Sequence, residues 1–81
     1  MRILDIKNKN VLNQISIFLT KEEAVQFIGY LEDLINNPSH QHNHLMDEEG
    51  NKEITMWLYE RNDLSNFPKK IQLLIENDKW D

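Results

Sequence analysis

The stretch His40-Gln41-His42-Asn43-His44-Leu45-Met46-Asp47-Glu48-Glu49-Gly50-Asn51-Lys52-Glu53-Ile54-Thr55-Met56-Trp57-Leu58-Tyr59 decides how this chain folds. It reads as a β-hairpin with arms Ser39 to Asp47 and Glu53 to Glu60 around Glu48-Glu49-Gly50. In the second arm Ile54, Met56 and Leu58 alternate with Thr55, Trp57 and Tyr59, the period of two of a half-buried strand. The length of the turn then sets which side chains share a face. A three-residue loop ending in a left-handed glycine at Gly50 pairs Asp47 with Asn51, His44 with Ile54 and His42 with Met56. A two- or four-residue loop instead places His40, His42 and His44 near Thr55, Trp57 and Tyr59, because a one-residue slip flips every side chain. The residues alone do not decide between these registers. We favour the glycine-bulge form, which adds Met46 to the apolar face and leaves the histidines at a half-wet margin. In either register Trp57 and Tyr59 point away from the aliphatic side.

Upstream, Thr20-Lys21-Glu22-Glu23 is a capping-box pattern. Ala24, Phe27, Ile28, Leu31, Leu34 and Ile35 follow at helical spacing, so a helix is expected from Lys21 to Asn36, stopped by Pro38. Gly29 lies off this stripe, where glycine costs about 1 kcal/mol relative to alanine. Close packing beside Val25 or contact with another chain would each account for it. Before the helix, Arg2 to Lys7 and Val11 to Leu19 read as strands around a polar Asn8-Lys9-Asn10 turn, with Val11, Ile15, Ile17 and Leu19 on one parity. Phe18 lies on the other parity with Gln14 and Ser16. After the hairpin, Leu64, Phe67, Ile71, Leu74 and Ile75 restore helical spacing, with Pro68 suited to a first helical turn.

The expected order is ββαββα in a single α+β domain spanning residues 1–81. Its architecture would be a four-stranded antiparallel sheet with both helices packed on one face. Ile15, Ile17, Leu19, Phe27, Ile28, Leu31, Leu34, Ile54, Met56, Leu58, Ile71 and Leu74 would form the core. The opposite face would stay open or be covered by another chain.

Composition narrows the functions available. The 81 residues are 40% hydrophobic and 28% charged, as in a folded soluble domain, and no apolar run reaches the roughly 20 residues of a spanning helix. Met1-Arg2-Ile3 opens a strand-like segment rather than a signal peptide. The absence of cysteine excludes disulfides, thiol catalysis and thiolate zinc sites. With 14 acidic against 9 basic residues the formal charge is −5, which argues against direct nucleic-acid binding. At this length packing alone gives marginal stability.

Three chemistries remain. Phe18, Trp57 and Tyr59 on an open sheet face, beside the acidic tip Asp47-Glu48-Glu49, suit a protein partner, and a basic one above all. Aromatics supply binding energy, and acids steer the encounter. The duller reading makes the acids a solvated face and the aromatics a second core or a homodimer seam. His42 and His44, two apart on a strand, could ligate zinc, nickel or copper with help from Glu53 or Asp47; the alternative is a solvated polar strand. The imidazoles also offer a pH response. Finally, an aromatic homodimer seam could sequester a small ligand. Catalysis has little to stand on, since there is no GxSxG, HExxH or phosphate-binding glycine loop.

The run Ile17-Phe18-Leu19-Thr20-Lys21-Glu22-Glu23-Ala24, with Leu31-Glu32-Asp33-Leu34, Asn37-Pro38 and Lys52-Glu53-Ile54-Thr55-Met56-Trp57-Leu58-Tyr59, resembles small uncharacterised proteins of Gram-positive bacteria and their phages and mobile elements. The resemblance spans Ile15 to Phe67. It implies a bacterial or phage setting and a cytoplasmic location, and it brings no activity or site residues. The expected function is therefore a non-enzymatic protein-binding module, such as an inhibitor, immunity or accessory protein. No cofactor is expected unless the histidine strand holds zinc or nickel.

Overall fold

In the computed structural model, which describes residues 1–37 and 42–80, the Thr20 hydroxyl accepts the backbone N–H of Glu23 at 3.1 Å. Glu23 Oε1 reciprocally accepts the Thr20 N–H at 2.9 Å. This is the capping box read from the sequence, and it opens helix α1 (Lys21–Asn36) where expected. The helix ends as the Asn37 N–H reaches the Asp33 carbonyl at 2.9 Å. The expected stop at Pro38, the start of the first hairpin arm and His40 lie outside the described residues.

The remaining elements are β1 (Ile3–Asp5), β2 (Asn10–Leu12), β3 (His42–Met46), β4 (Glu53–Trp57) and α2 (Lys69–Asn77). The class is α+β, but the expected four-stranded sheet does not form. Instead there are two separate antiparallel pairs, β1–β2 and β3–β4. The reason lies in residues 13–19, expected to continue β2, which take no strand conformation and leave Ile15, Ile17 and Leu19 each more than 40% exposed. Alternation selects a face, yet a strand exists only where a neighbour receives its backbone hydrogen bonds. Ile15, Ile17 and Leu19 therefore do not join a core.

The chain divides into two compact units. The first combines Met1–Ile17 with Glu60–Asp81. Within it β1 and β2 pair Ile3 with Leu12 and Asp5 with Asn10, leaving a four-residue turn. Asp5 closes that turn by accepting the Asn8 N–H and side-chain amide, and Lys9 takes a left-handed φ of 56°. In the same unit Arg2 Nε donates to the Leu74 and Ile75 carbonyls, satisfying the last turn of α2, where Leu74 is buried. Pro68 sits at the cap position of α2, one residue before the expected first turn, and its carbonyl accepts from Ile71 and Gln72.

The second unit, Phe18–Tyr59, packs α1 against β3. Glu23, Phe27, Tyr30 and Leu34 recur at helical spacing and form the covered side of α1; Leu34 is 1% exposed, and Leu45 of β3 is 3%. The expected core members Ile28 and Leu31 belong to a neighbouring stripe that the hairpin does not reach, and both are exposed. Leu58 falls just past β4 and is exposed as well. Ile54 and Met56 are half-buried. Among the described residues only Leu34, Leu45 and Leu74 are buried apolar side chains.

Candidate functional site

Asp47 determines the hairpin's geometry. Its Oδ1 accepts the N–H groups of Asn51 at 2.7 Å and Lys52 at 2.9 Å, and its own N–H donates to the Lys52 carbonyl at 3.1 Å. The Gly50 N–H bonds the Asp47 carbonyl at 3.0 Å, with Gly50 at a left-handed φ of 73° that favours glycine. The result is a four-residue loop, Glu48 to Asn51, in place of the favoured three-residue bulge. Met46 accordingly pairs with Glu53, Leu45 with Ile54, His44 with Thr55 and His42 with Trp57. The bulge register fails because it would pair Asp47 with Asn51, whereas the Asp47 carboxylate binds the backbone of both Asn51 and Lys52.

This register sorts the side chains. Asn43 and Leu45 share parity with their partners Met56 and Ile54, and Asn43 Nδ2 donates to the Tyr30 carbonyl and Asp33 Oδ2, both at 3.0 Å. That face is directed to α1. His42, His44, Met46, Glu53, Thr55 and Trp57 occupy the other. There the His42 ring stacks on Trp57 with centroids 4.2 Å apart and planes 24° from parallel, and it meets the His44 ring edge-on at 5.1 Å. His44 Nδ1 contacts Glu53 Oε1, and Thr55 Oγ1 lies 3.0 Å from the same nitrogen. Trp57 remains 50% exposed.

The predicted site residues are thus only partly brought together. Trp57 is on the open face as expected. Phe18 is not on a sheet at all; it precedes the Thr20 cap in the irregular segment and is 93% exposed. Tyr59 lies two residues beyond β4 and is half-buried. Of the acidic tip, the Asp47 carboxylate is taken up by the loop, and the Lys52 N–H bond above all holds its carboxyl below the usual carboxylate range. Glu48 accepts the Thr20 hydroxyl at 3.3 Å, and Glu49 accepts the Asn51 amide at 3.4 Å.

His42 and His44 share a face, but no three His, Asp or Glu side chains among the described residues form a group able to hold a metal ion. The His44 nitrogen nearest Glu53 already contacts that carboxylate. His40, the third histidine of the expected strand, lies outside the described residues.

Sequence reasoning missed the second oxygen of Glu23. Oε2 accepts the Glu48 N–H at 3.0 Å, so one buried carboxylate joins the start of α1 to the hairpin loop. Both backbone donors, Thr20 first and Glu48 next, hold the Glu23 carboxyl below its ordinary value. The capping-box pattern disclosed half of this bridge; nothing local discloses the other half. The α1–β3–β4 unit is also charge-asymmetric. Between Phe18 and Tyr59 stand two lysines and eight carboxylates, a net −6 with neutral imidazoles, while the rest of the chain is near neutral.

Comparison with protein-family models, curated proteins and solved structures found no match to this chain. Among the described residues, no helix is long and apolar enough to cross a membrane.

Proposed function

We propose that this chain is a non-enzymatic protein-binding module, of the inhibitor, immunity or accessory kind, working in the bacterial or phage cytoplasm implied by the sequence resemblance. Its contact surface is the open face of the β3–β4 hairpin, centred on Trp57 and flanked by Glu48 and Glu49. The observation that carries this reading is the half-exposed Trp57 held flat by His42 on a paired strand. An aromatic anchor fixed in one orientation loses little entropy on binding, and tryptophan is the residue most enriched among interface hot spots. The net −6 of the same unit favours a basic partner, with charge acting mainly on the association rate.

The test is native mass spectrometry of untagged protein taken gently from a lysate of its source, beside the Trp57→Ala variant. A retained protein partner, lost in the variant while far-ultraviolet circular dichroism is unchanged, supports the reading. A bare wild-type monomer speaks against it, and collapse of the variant's dichroism makes Trp57 a packing residue.

A further inference from the structure

The apolar arc of α1 is about twice as wide as the hairpin covers. Glu23, Phe27, Tyr30 and Leu34 form the covered side of the helix, while a second stripe, Ile28, Leu31 and Ile35, runs beside them at i, i+3 and i+7. Ile28 is 57% exposed and Ile35 67%, with Leu31 at 36% and Val25 adjoining them at 60%. Such spacing is what a helical partner reads as successive anchors in helix-to-helix docking.

We propose that this stripe docks a cationic amphipathic helix of a partner protein. The inference deepens the protein-binding reading and rests on it, but it assigns a second surface, separate from the Trp57 face. Charge identifies the occupant. The unit carrying the stripe has a net charge of −6, and Glu32 borders the stripe one turn after Ile28. The last turn of α1 contains no basic residue of its own, and the negative end of its dipole adds to the field of the unit's carboxylates. A partner helix with leucine-like residues on one side and lysine or arginine along its edge satisfies all three features.

The same numbers decide against a second copy of this chain. A helix of 16 residues is about 24 Å long and roughly 10 Å wide, a footprint on the order of 250 Å². A stable interface needs about 800 Å² per partner. A footprint that small does not hold two units of like charge together, whereas opposite charge adds to it. An anionic lipid surface is disfavoured by the same sign.

The experiment is a titration of the ¹⁵N-labelled full chain with a synthetic Leu/Lys peptide patterned as an amphipathic helix. The control is a peptide of identical composition with its leucines scattered. Ile28→Gln and Ile35→Gln change exposed positions without altering charge, and either one suffices if the other perturbs the helix. The expected result is amide shifts concentrated at Val25 to Ile35, binding weakened about tenfold in the Gln variants, corresponding to ~1.4 kcal/mol, and little change in Trp57→Ala. Equal binding of the scattered peptide would overturn the proposal, since charge alone would then suffice. So would shifts centred on the Trp57 indole with α1 silent, self-association through α1, or no binding at low salt. If the natural partner is lost in Trp57→Ala but retained in Ile28→Gln, the protein-binding reading stands and the α1 stripe fails.

Discussion

Glu23 and Glu48 are 25 residues apart, yet the buried carboxylate of the first receives the backbone N–H of the second at 3.0 Å. The other Glu23 oxygen closes the capping box with Thr20. Two orphan backbone donors are satisfied by one side chain, and the hairpin loop is tied to the helix start. Glu23→Gln keeps shape but replaces one accepting oxygen by an N–H₂ donor that faces another N–H. This variant should melt at a lower temperature than wild type by circular dichroism, and amide exchange at Glu48 should quicken. An unchanged Glu48 exchange rate would show that the bridge does not form in solution. Thr20→Ala, which removes the cap and the hydroxyl's bond to the Glu48 carboxylate, should cost about 1 kcal/mol and leave exchange at the Glu48 N–H, held by Glu23, little changed.

The pH dependence follows from the same carboxylates. Glu23 is held below its usual value by the Thr20 and Glu48 N–H groups, and Asp47 chiefly by that of Lys52. Asp5 is lowered by the Asn8 side chain and Asp63 by that of Ser65. For a group whose folded pKa is lowered, the unfolded chain binds the proton more readily. Its stabilising contribution is therefore complete above the ordinary carboxylate pKa near 4 and lost as pH falls through the lowered folded value. Urea midpoints should be flat from about pH 5 to 7 in this respect and drop steeply below about pH 4. In Asp47→Asn the acid limb should be shallower.

Leu34 is the most completely buried side chain in the α1–β3–β4 unit, at 1% exposure. Leu34→Ala should cost about 2–5 kcal/mol, a large share of the 5–15 kcal/mol that small domains possess. Ile35→Ala, one residue on and 67% exposed, should change the urea midpoint little. Comparable losses at the two positions would mean that α1 does not turn Leu34 inward and Ile35 outward.

The two glycines should respond in opposite directions. A methyl group at Gly29 would meet nothing within 4 Å, so Gly29→Ala should stabilise α1 by about 1 kcal/mol; within the chain, close packing beside Val25 does not explain this glycine. Gly50 also has open space, but its φ of 73° makes Gly50→Ala cost about 1 kcal/mol or more. Thermal unfolding of both variants tests the pair.

What could be read in the sequence was what short-range chemistry determines. Thr20 and Glu23 announce the start of α1 because the cap closes within four residues. The Leu34 stripe announces its buried face because periodicity is local. Residues 13–19 alternate as clearly as a strand, and that parity alone puts Phe18 on a sheet face, while the neighbour that would pair with them is a tertiary matter. The apolar arc of α1 was legible, but not that the hairpin covers half of it. Trp57 was placed on the outward face in either register. Its stacking partner depended on the loop, and that turned on whether Asp47 pairs with Asn51 or spans a longer turn to Lys52.

That register can be tested chemically, because the chain contains no cysteine to interfere. Asp47 donates to the Lys52 carbonyl, so alternation along the ladder makes Met46–Glu53 and then His44–Thr55 the non-hydrogen-bonded pairs, whose Cα atoms approach to about 4.5 Å. This distance lies within the range a disulfide spans. The doubly substituted His44→Cys, Thr55→Cys chain should therefore oxidise readily to a monomeric disulfide with native circular dichroism. The His44→Cys, Ile54→Cys chain should not, because in the four-residue loop those side chains emerge from opposite faces of the hairpin. In the glycine-bulge register the outcomes exchange: 44 and 54 would be opposite one another, and His42 would leave the Trp57 ring for Met56. Quantifying the two disulfides under identical oxidation thus determines whether Trp57 is braced by an imidazole, the feature on which its role as a binding anchor depends.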